Sequence, residues 1–452
     1  MGHHGRASDM AGDGSSAPTP GTVDRGERAA ADAGFSDGPD PDLDERDDEH
    51  PNHYGIDDDP APGSMGAAFA TGEPPVHTPV GQRDRFIDFI RAFSLLVVVA
   101  WHWVFTIIIW EKDGPHASNP IGFTRGLFVA TWLFQVMPLF FFVGGYAHSE
   151  SWEAAEEKGR FRTSVGFAWN RAGQLARPAM ALAFGWWLIG SVIVALWDVD
   201  GMGRSVKLIL SPLWFIIVYL LLILLFPLTH WLHERFGGLV LVFGVGIAAV
   251  VDTARFSHHV AWAGWINMIV VWATCHQLGY FWEALVAAGR RAAWGLMWSG
   301  LFLLTALVGS GLYPGSMVGV PGEKFSNMAP PTICILALLL FQAGVALLIR
   351  PWVLHQLETS QRWSTFSDVI NRFSLPLFLF HSTGMALWAA FGHFVLHNEP
   401  VTHPTLKWWL TRPFAFIGPL ILTLPIIFVL GRKYVKKRPP RSSTTPDVPV
   451  AA

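Results

Sequence analysis

The stretch from Arg85 to His102 reads RFIDFIRAFSLLVVVAWH. After Arg91 it holds only apolar side chains, one serine and a closing histidine. About 20 such residues cross a bilayer core as a helix, so the stretch reads as the start of a membrane span. Two titratable groups lie inside it. Arg91 and His102 are eleven residues apart, which on an α-helix is about three turns plus roughly 20°. Both therefore share one helix face, about 16 Å apart along the axis. Asp88 precedes Arg91 by three residues and can pair with it on that face. Charge inside a span is costly and by default marks function.

Outward from this stretch the chain alternates long apolar runs with short polar connections. Ten candidate spans follow: 86–110, 121–146, 178–197, 208–228, 238–252, 263–284, 294–312, 329–349, 373–395 and 409–431. The fold expected is all-α, a polytopic transmembrane helix bundle of about ten spans over residues 81–432. With the N-terminus inside, the connections on the cytoplasmic side collect Arg83, Arg85, Lys158, Arg160, Arg162, Arg171, Arg177, Arg235, Arg290, Arg291, Arg350, Arg362 and Arg372. That asymmetry satisfies the positive-inside rule with both termini cytoplasmic. No internal repeat of the transporter kind is visible.

Composition agrees. The 452 residues are 51% hydrophobic and only 15% charged, against roughly 25% charged in soluble domains. Residues 1–80 carry 17 Asp/Glu and 4 Lys/Arg, a net of −13. They also hold 22 Gly plus Pro. Such a segment cannot bury enough surface to offset its ordering entropy, and a disordered acidic cytoplasmic tail is expected. Residues 433–452 read as a basic, then Pro/Ser/Thr-rich, cytoplasmic tail. The remainder of the chain has no basic surface domain, so nucleic-acid binding is not expected. Cys275 and Cys334 both lie in apolar runs, which excludes a disulfide scaffold and a cysteine zinc site. The histidines at 230–233 and 258–259 sit at span ends without an evident third ligand, and no metal is expected.

Four stretches together resemble the membrane acyltransferase-3 family. The first is Arg91-x10-His102 with Asp88 before it. The second is Phe140-Phe141-Phe142-Val143-Gly144-Gly145-Tyr146, where Gly144 stands in place of the family's Ser. The third is Pro212-Leu213-Trp214-Phe215 with Tyr219, and the fourth is Pro376-Leu377-Phe378-Leu379-Phe380-His381. The resemblance covers about residues 83–430. One departure is Arg171-Ala-Gly-Gln174, where the family often has Arg-x-x-Arg; Arg177 follows. Gln174 cannot pair with a phosphate as arginine does.

The resemblance implies a polytopic bacterial inner-membrane enzyme that moves an acetyl or other short acyl group from acyl-CoA to a hydroxyl of an envelope glycan, glycolipid or related acceptor. It implies His102 as general base, since an imidazole titrates near neutral pH. Arg91 would orient the donor or stabilise developing charge. Asp88, Tyr146, Arg171, Arg177, Trp214 and His381 are the expected substrate-binding residues. The partners expected are the lipid bilayer, the acyl donor and the glycan or lipid acceptor. A transporter or flippase of an envelope precursor, using Arg91 and His102 as a relay, is the competing reading. A membrane regulator that binds a partner through the acidic tail is a third.

Overall fold

The computed structural model describes residues 84–197, 201–398 and 404–435. The acidic tail expected over 1–80, and most of the tail expected over 433–452, lie outside the described residues. Helix α1 (Arg85–Phe105) is followed by a hairpin of β1 (Ile107–Glu111) and β2 (Gly114–Ser118). Then come α2 (Ala130–Phe134), α3 (Met137–Glu157), α4 (Ser164–Trp197), α5 (Met202–Leu210), α6 (Leu213–Phe236) and α7 (Leu239–Phe256). The second half holds α8 (Gly264–Gly279), α9 (Trp282–Ala287), α10 (Gly289–Gly309), α11 (Ile333–Thr359), α12 (Gln361–Phe394), α13 (Leu406–Thr411) and α14 (Ile417–Ile426).

Among the described residues, nine helices are long and apolar enough to cross a membrane. The remaining expected span, 263–284, the sixth of the ten, is α8, a 16-residue helix that breaks at Tyr280 and Phe281 and resumes as α9. Outward-facing surfaces show what solvent these helices require. Only 11% of the apolar window of α4 is buried inside the protein, against 61% for α11. Trp169, Phe184, Trp187 and Trp197 of α4 stand exposed, as do Phe243 and Val250 of α7 and Phe302 of α10. Apolar surface that continuous needs a lipid environment, in which a helix satisfies its own backbone polar groups. The chain is an integral membrane protein.

The first span is shorter than expected. Asp84 caps α1, its Oδ1 accepting from the amides of Phe86 at 2.7 Å and Ile87 at 3.3 Å. At the other end Thr106 is extended, and Ile107-Ile108-Ile109-Trp110 continues as a strand rather than as helix. Three consecutive β-branched residues and an aromatic favour that outcome. The reading of 86–110 as one helix thus ended five residues late, and the all-α body carries one two-stranded sheet. Arg204 of α5 pairs with Asp113 in the hairpin turn. The hydrogen bond from His116 and the charge of Arg204 hold the Asp113 carboxyl below its usual range.

The interior is built from α1, α3, α8, α11 and α12. Helix α1 lies along α12, and α3 lies along α8. A buried polar brace ties the far side: Asp252 of α7 accepts from the amide of Ile333, the first residue of α11, at 2.8 Å, and from Asn267 Nδ2 of α8 at 2.9 Å. The carboxylate thereby caps a neighbouring helix at its positive end.

Helices α3 and α8 approach until backbones touch. A Cβ on Gly145 would lie 1.8 Å from the His276 carbonyl oxygen, and one on Gly279 would lie 2.0 Å from that of Phe142. This is small-residue packing of membrane helices, and it explains Gly145 within the aromatic-glycine stretch. Gly145→Ala is expected to cost about 1–3 kcal/mol through overpacking. Thermal unfolding in detergent reads this directly. Gly185→Ala, at a site on α4 with nothing within 4 Å, serves as the control and should not lower the midpoint.

Candidate active site

Helices α1 and α12 run in the same direction, so their polar residues meet in two tiers. In the first tier Arg91 Nη2 donates to Asp88 Oδ1 at 2.5 Å. Arg91 Nε and Nη2 also donate to Asn371 Oδ1 at 3.1 and 2.9 Å. Asn371 Nδ2 in turn donates to the carbonyls of Asp88 at 2.8 Å and Ser367 at 3.0 Å. The amide orientation follows from these partners, because only its oxygen can face the guanidinium. A carboxylate and an amide therefore hold Arg91 from both sides. Its guanidinium lines a cavity of about 640 Å³ with Asp88, Tyr146, His148, Arg171, Gln174 and Tyr219.

The second tier lies toward the other end of α1. His102 Nδ1 and His381 Nε2 are 2.8 Å apart. His381 Nδ1 lies 2.6 Å from the carbonyl oxygen of Phe378. A carbonyl only accepts, so that nitrogen carries the hydrogen. In a neutral pair His381 Nε2 is then an acceptor, and His102 Nδ1 must donate to it. The lone pair of His102 is left on Nε2. Trp103 Nε1 donates to the His381 carbonyl at 2.9 Å, and Ser382 Oγ approaches His381 Nε2 at 3.2 Å. His102 lines a second cavity, of about 470 Å³, with Trp101, Thr131, Gln135 and Trp214. The arrangement presents a basic nitrogen at a cavity wall, oriented by a second imidazole that is itself fixed by backbone.

The expected site residues separate by tier. Asp88, Arg91, Tyr146 and Arg171 line the first cavity; His102 and Trp214 line the second. His381 is fully buried behind His102. Arg177 is not part of either cavity and stands on the exposed side of α4. It lies six residues past Arg171, roughly 600° round the helix, which turns it well away from Arg171. Asn327, in the loop before α11, is fully buried and structural. Its Nδ2 donates to the carbonyls of Pro314 and Ser316 at 2.6 and 3.0 Å, and its Oδ1 accepts from Thr332 at 2.8 Å.

Two features escaped the sequence reading. Asn371 is one: it stands ten residues before His381 on α12, much as Arg91 stands eleven before His102 on α1. That matched spacing was the available signal. The other is a second buried pair, His148 Nδ1 and His276 Nε2 at 2.9 Å, with Tyr219 Oη 3.4 Å from His148 Nε2. His148 lies two residues past the quoted aromatic-glycine stretch. Among the described residues, Glu111, Asp113 and His116 form a cluster of metal-ligand type at the hairpin turn. Arg204 already pairs with Asp113 there.

The tautomers are directly observable. In protein labelled with ¹⁵N-histidine, both His102 and His381 should appear as Nδ1–H imidazoles, and His381→Ala should free His102 into a mixture of tautomers. An Nε2–H signal for His102 in the neutral wild-type protein would break the assignment.

The family comparison agrees with the architecture. The model of the acyltransferase-3 family, described as an acyltransferase domain, matches residues 84–431. No curated protein and no solved structure matches the chain. With the matched segment covering the described helical body from the cap of α1 into the last span, the chain belongs to the acyltransferase-3 family of membrane acyltransferases.

Proposed function

We propose that this membrane acyltransferase moves a short acyl group, such as acetyl, from acyl-CoA to a hydroxyl of an envelope glycan, glycolipid or related acceptor. The observation that carries the reading is His102, which lines a cavity while His381 holds its Nδ1 and leaves the lone pair on Nε2. Coenzyme A brings phosphates, and Arg91 and Arg171 offer cationic partners in the first cavity. By the positive-inside reading that cavity faces the cytoplasm, where acyl-CoA is made, with both termini on the same side. A bacterial inner membrane suits such an acceptor.

The chemistry then runs as follows. The acceptor hydroxyl attacks the thioester carbonyl while His102 Nε2 takes its proton. The new C–O bond gives a tetrahedral oxyanion. Its collapse breaks the C–S bond, and the departing thiolate recovers the proton from His102, leaving ester and free thiol. During the step His102 is an imidazolium, and its Nδ1–H bond to His381 Nε2 stabilises that charge. Arg91 lies about 16 Å along the axis from His102. That separation suits an anchor for the donor's anionic groups better than direct contact with the reacting carbonyl.

Transfer of label from acetyl-CoA to envelope glycans or lipids, in membranes of matched expression, tests the reading. His102→Ala should lower transfer by about 10²- to 10⁴-fold, the usual worth of a general base. Asn371→Ala should lower it by about 10- to 100-fold, as expected when a charged group loses a hydrogen bond. Equal transfer by wild type and His102→Ala would remove the base. Movement of an envelope precursor without covalent change would favour transport instead.

A further inference from the structure

The two cavities share two lining residues, Phe215 of α6 and Phe378 of α12. Their rings meet at 5.3 Å between centroids, at an interplanar angle of 60°. Both side chains are nearly buried, 7% and 9% exposed. Phe215 also packs against Phe140 at 5.1 Å and Phe141 at 5.2 Å. Phe378 packs on His381 at 5.6 Å.

Helix α1 supplies the rail that runs past this pair. Arg91, Leu95, Val98 and His102 follow one another at intervals of four, three and four residues, so they form one stripe. Arg91 and Leu95 line the first cavity; Val98 and His102 line the second. A donor anchored at Arg91 reaches His102 along this stripe, and the point where the cavities meet is the phenyl pair. Rings in van der Waals contact leave no open channel between them.

We propose that Phe215 and Phe378 are specificity-determining residues that limit the length of the acyl group presented to His102. The inference rests on the proposed donor and extends it to the acyl chain. The thioester must part the rings, and only a short acyl group fits beyond them while an acceptor also occupies the second cavity. Each further methylene presses on a ring already packed against Phe140 and Phe141, or displaces the acceptor. Removing one ring relieves that conflict for long chains and gives short ones little.

The test compares acetyl-CoA with hexanoyl-CoA as donor for the wild type, Phe215→Ala and the milder Phe215→Leu. Wild type should prefer acetyl. Phe215→Ala should raise the hexanoyl-to-acetyl ratio of kcat/KM by about tenfold or more, with Phe215→Leu in between, since a few methylenes in an apolar pocket are worth that much. A ratio unmoved in whichever variant retains acetyl transfer overturns the filter while leaving the transfer reaction intact. Absence of transfer by the wild type from either donor overturns the donor reading and the filter with it. A second measurement is independent of turnover. In sealed vesicles of protein with Cys275 and Cys334 replaced by Ala, His102→Cys should resist a charged thiol reagent applied on the Arg91 side. Adding Phe215→Ala should expose it. Equal labelling with and without the ring would overturn the partition.

Discussion

Two imidazoles that share one proton between facing nitrogens set the terms for the rest of the site. Within a bilayer an unpaired polar group has no water to turn to, so His102 and His381 must bond to each other or to backbone. The Phe378 carbonyl fixes one end of the chain, and the cavity receives the other. This requires α1 and α12 to lie side by side in the same direction. Once they do, Arg91 and Asn371 meet one tier away without any further condition. The chain places several spans between those two helices, and the rest of the bundle is arranged around the pair.

Helix packing supplies the remaining precision. Gly145 and Gly279 allow α3 and α8 to touch, which brings His148 to His276 and sets Tyr146 against the first cavity. Asp252 fixes the start of α11 by accepting its first amide. Polar groups within the membrane therefore fall into two kinds. Asp252 and Asn327 are consumed by structural bonds, whereas Arg91 and His102 are held by partners and still border space. The difference between a satisfied polar group and a presented one is geometric, and it is invisible in the residue type.

The parts of this arrangement that depend on one helix were legible in the sequence. Arg91, Asp88 and His102 share a face by periodicity alone, and hydropathy located the spans. Errors arose where local preference competes with the apolar pattern. Ile107 to Trp110 is as apolar as a span but β-branched, so the helix stops at Phe105 and a hairpin begins. Arg177 carried the right charge, yet its angular position on α4 turns it outward. Asn371 and the pairing of His148 with His276 depend on which helices become neighbours, and periodicity within a single helix carries no such information.

The aromatic residues make the same point about function. Phe215 and Phe378 stand in two of the stretches that carry the family resemblance, but with 33 Phe in the chain the sequence alone does not bring these two together. Their role follows only from position: each borders both cavities, and they touch where the stripe from Arg91 to His102 crosses from one to the other. Phe378 joins two tasks in one residue. Its carbonyl orients His381, and through it the His102 lone pair, while its ring meets that of Phe215 on the route proposed for the acyl group. A ring displaced by an incoming thioester stays tethered to the backbone that fixes the relay. Under the proposed function, access to His102 and orientation of its lone pair are thus coupled through a single residue of α12.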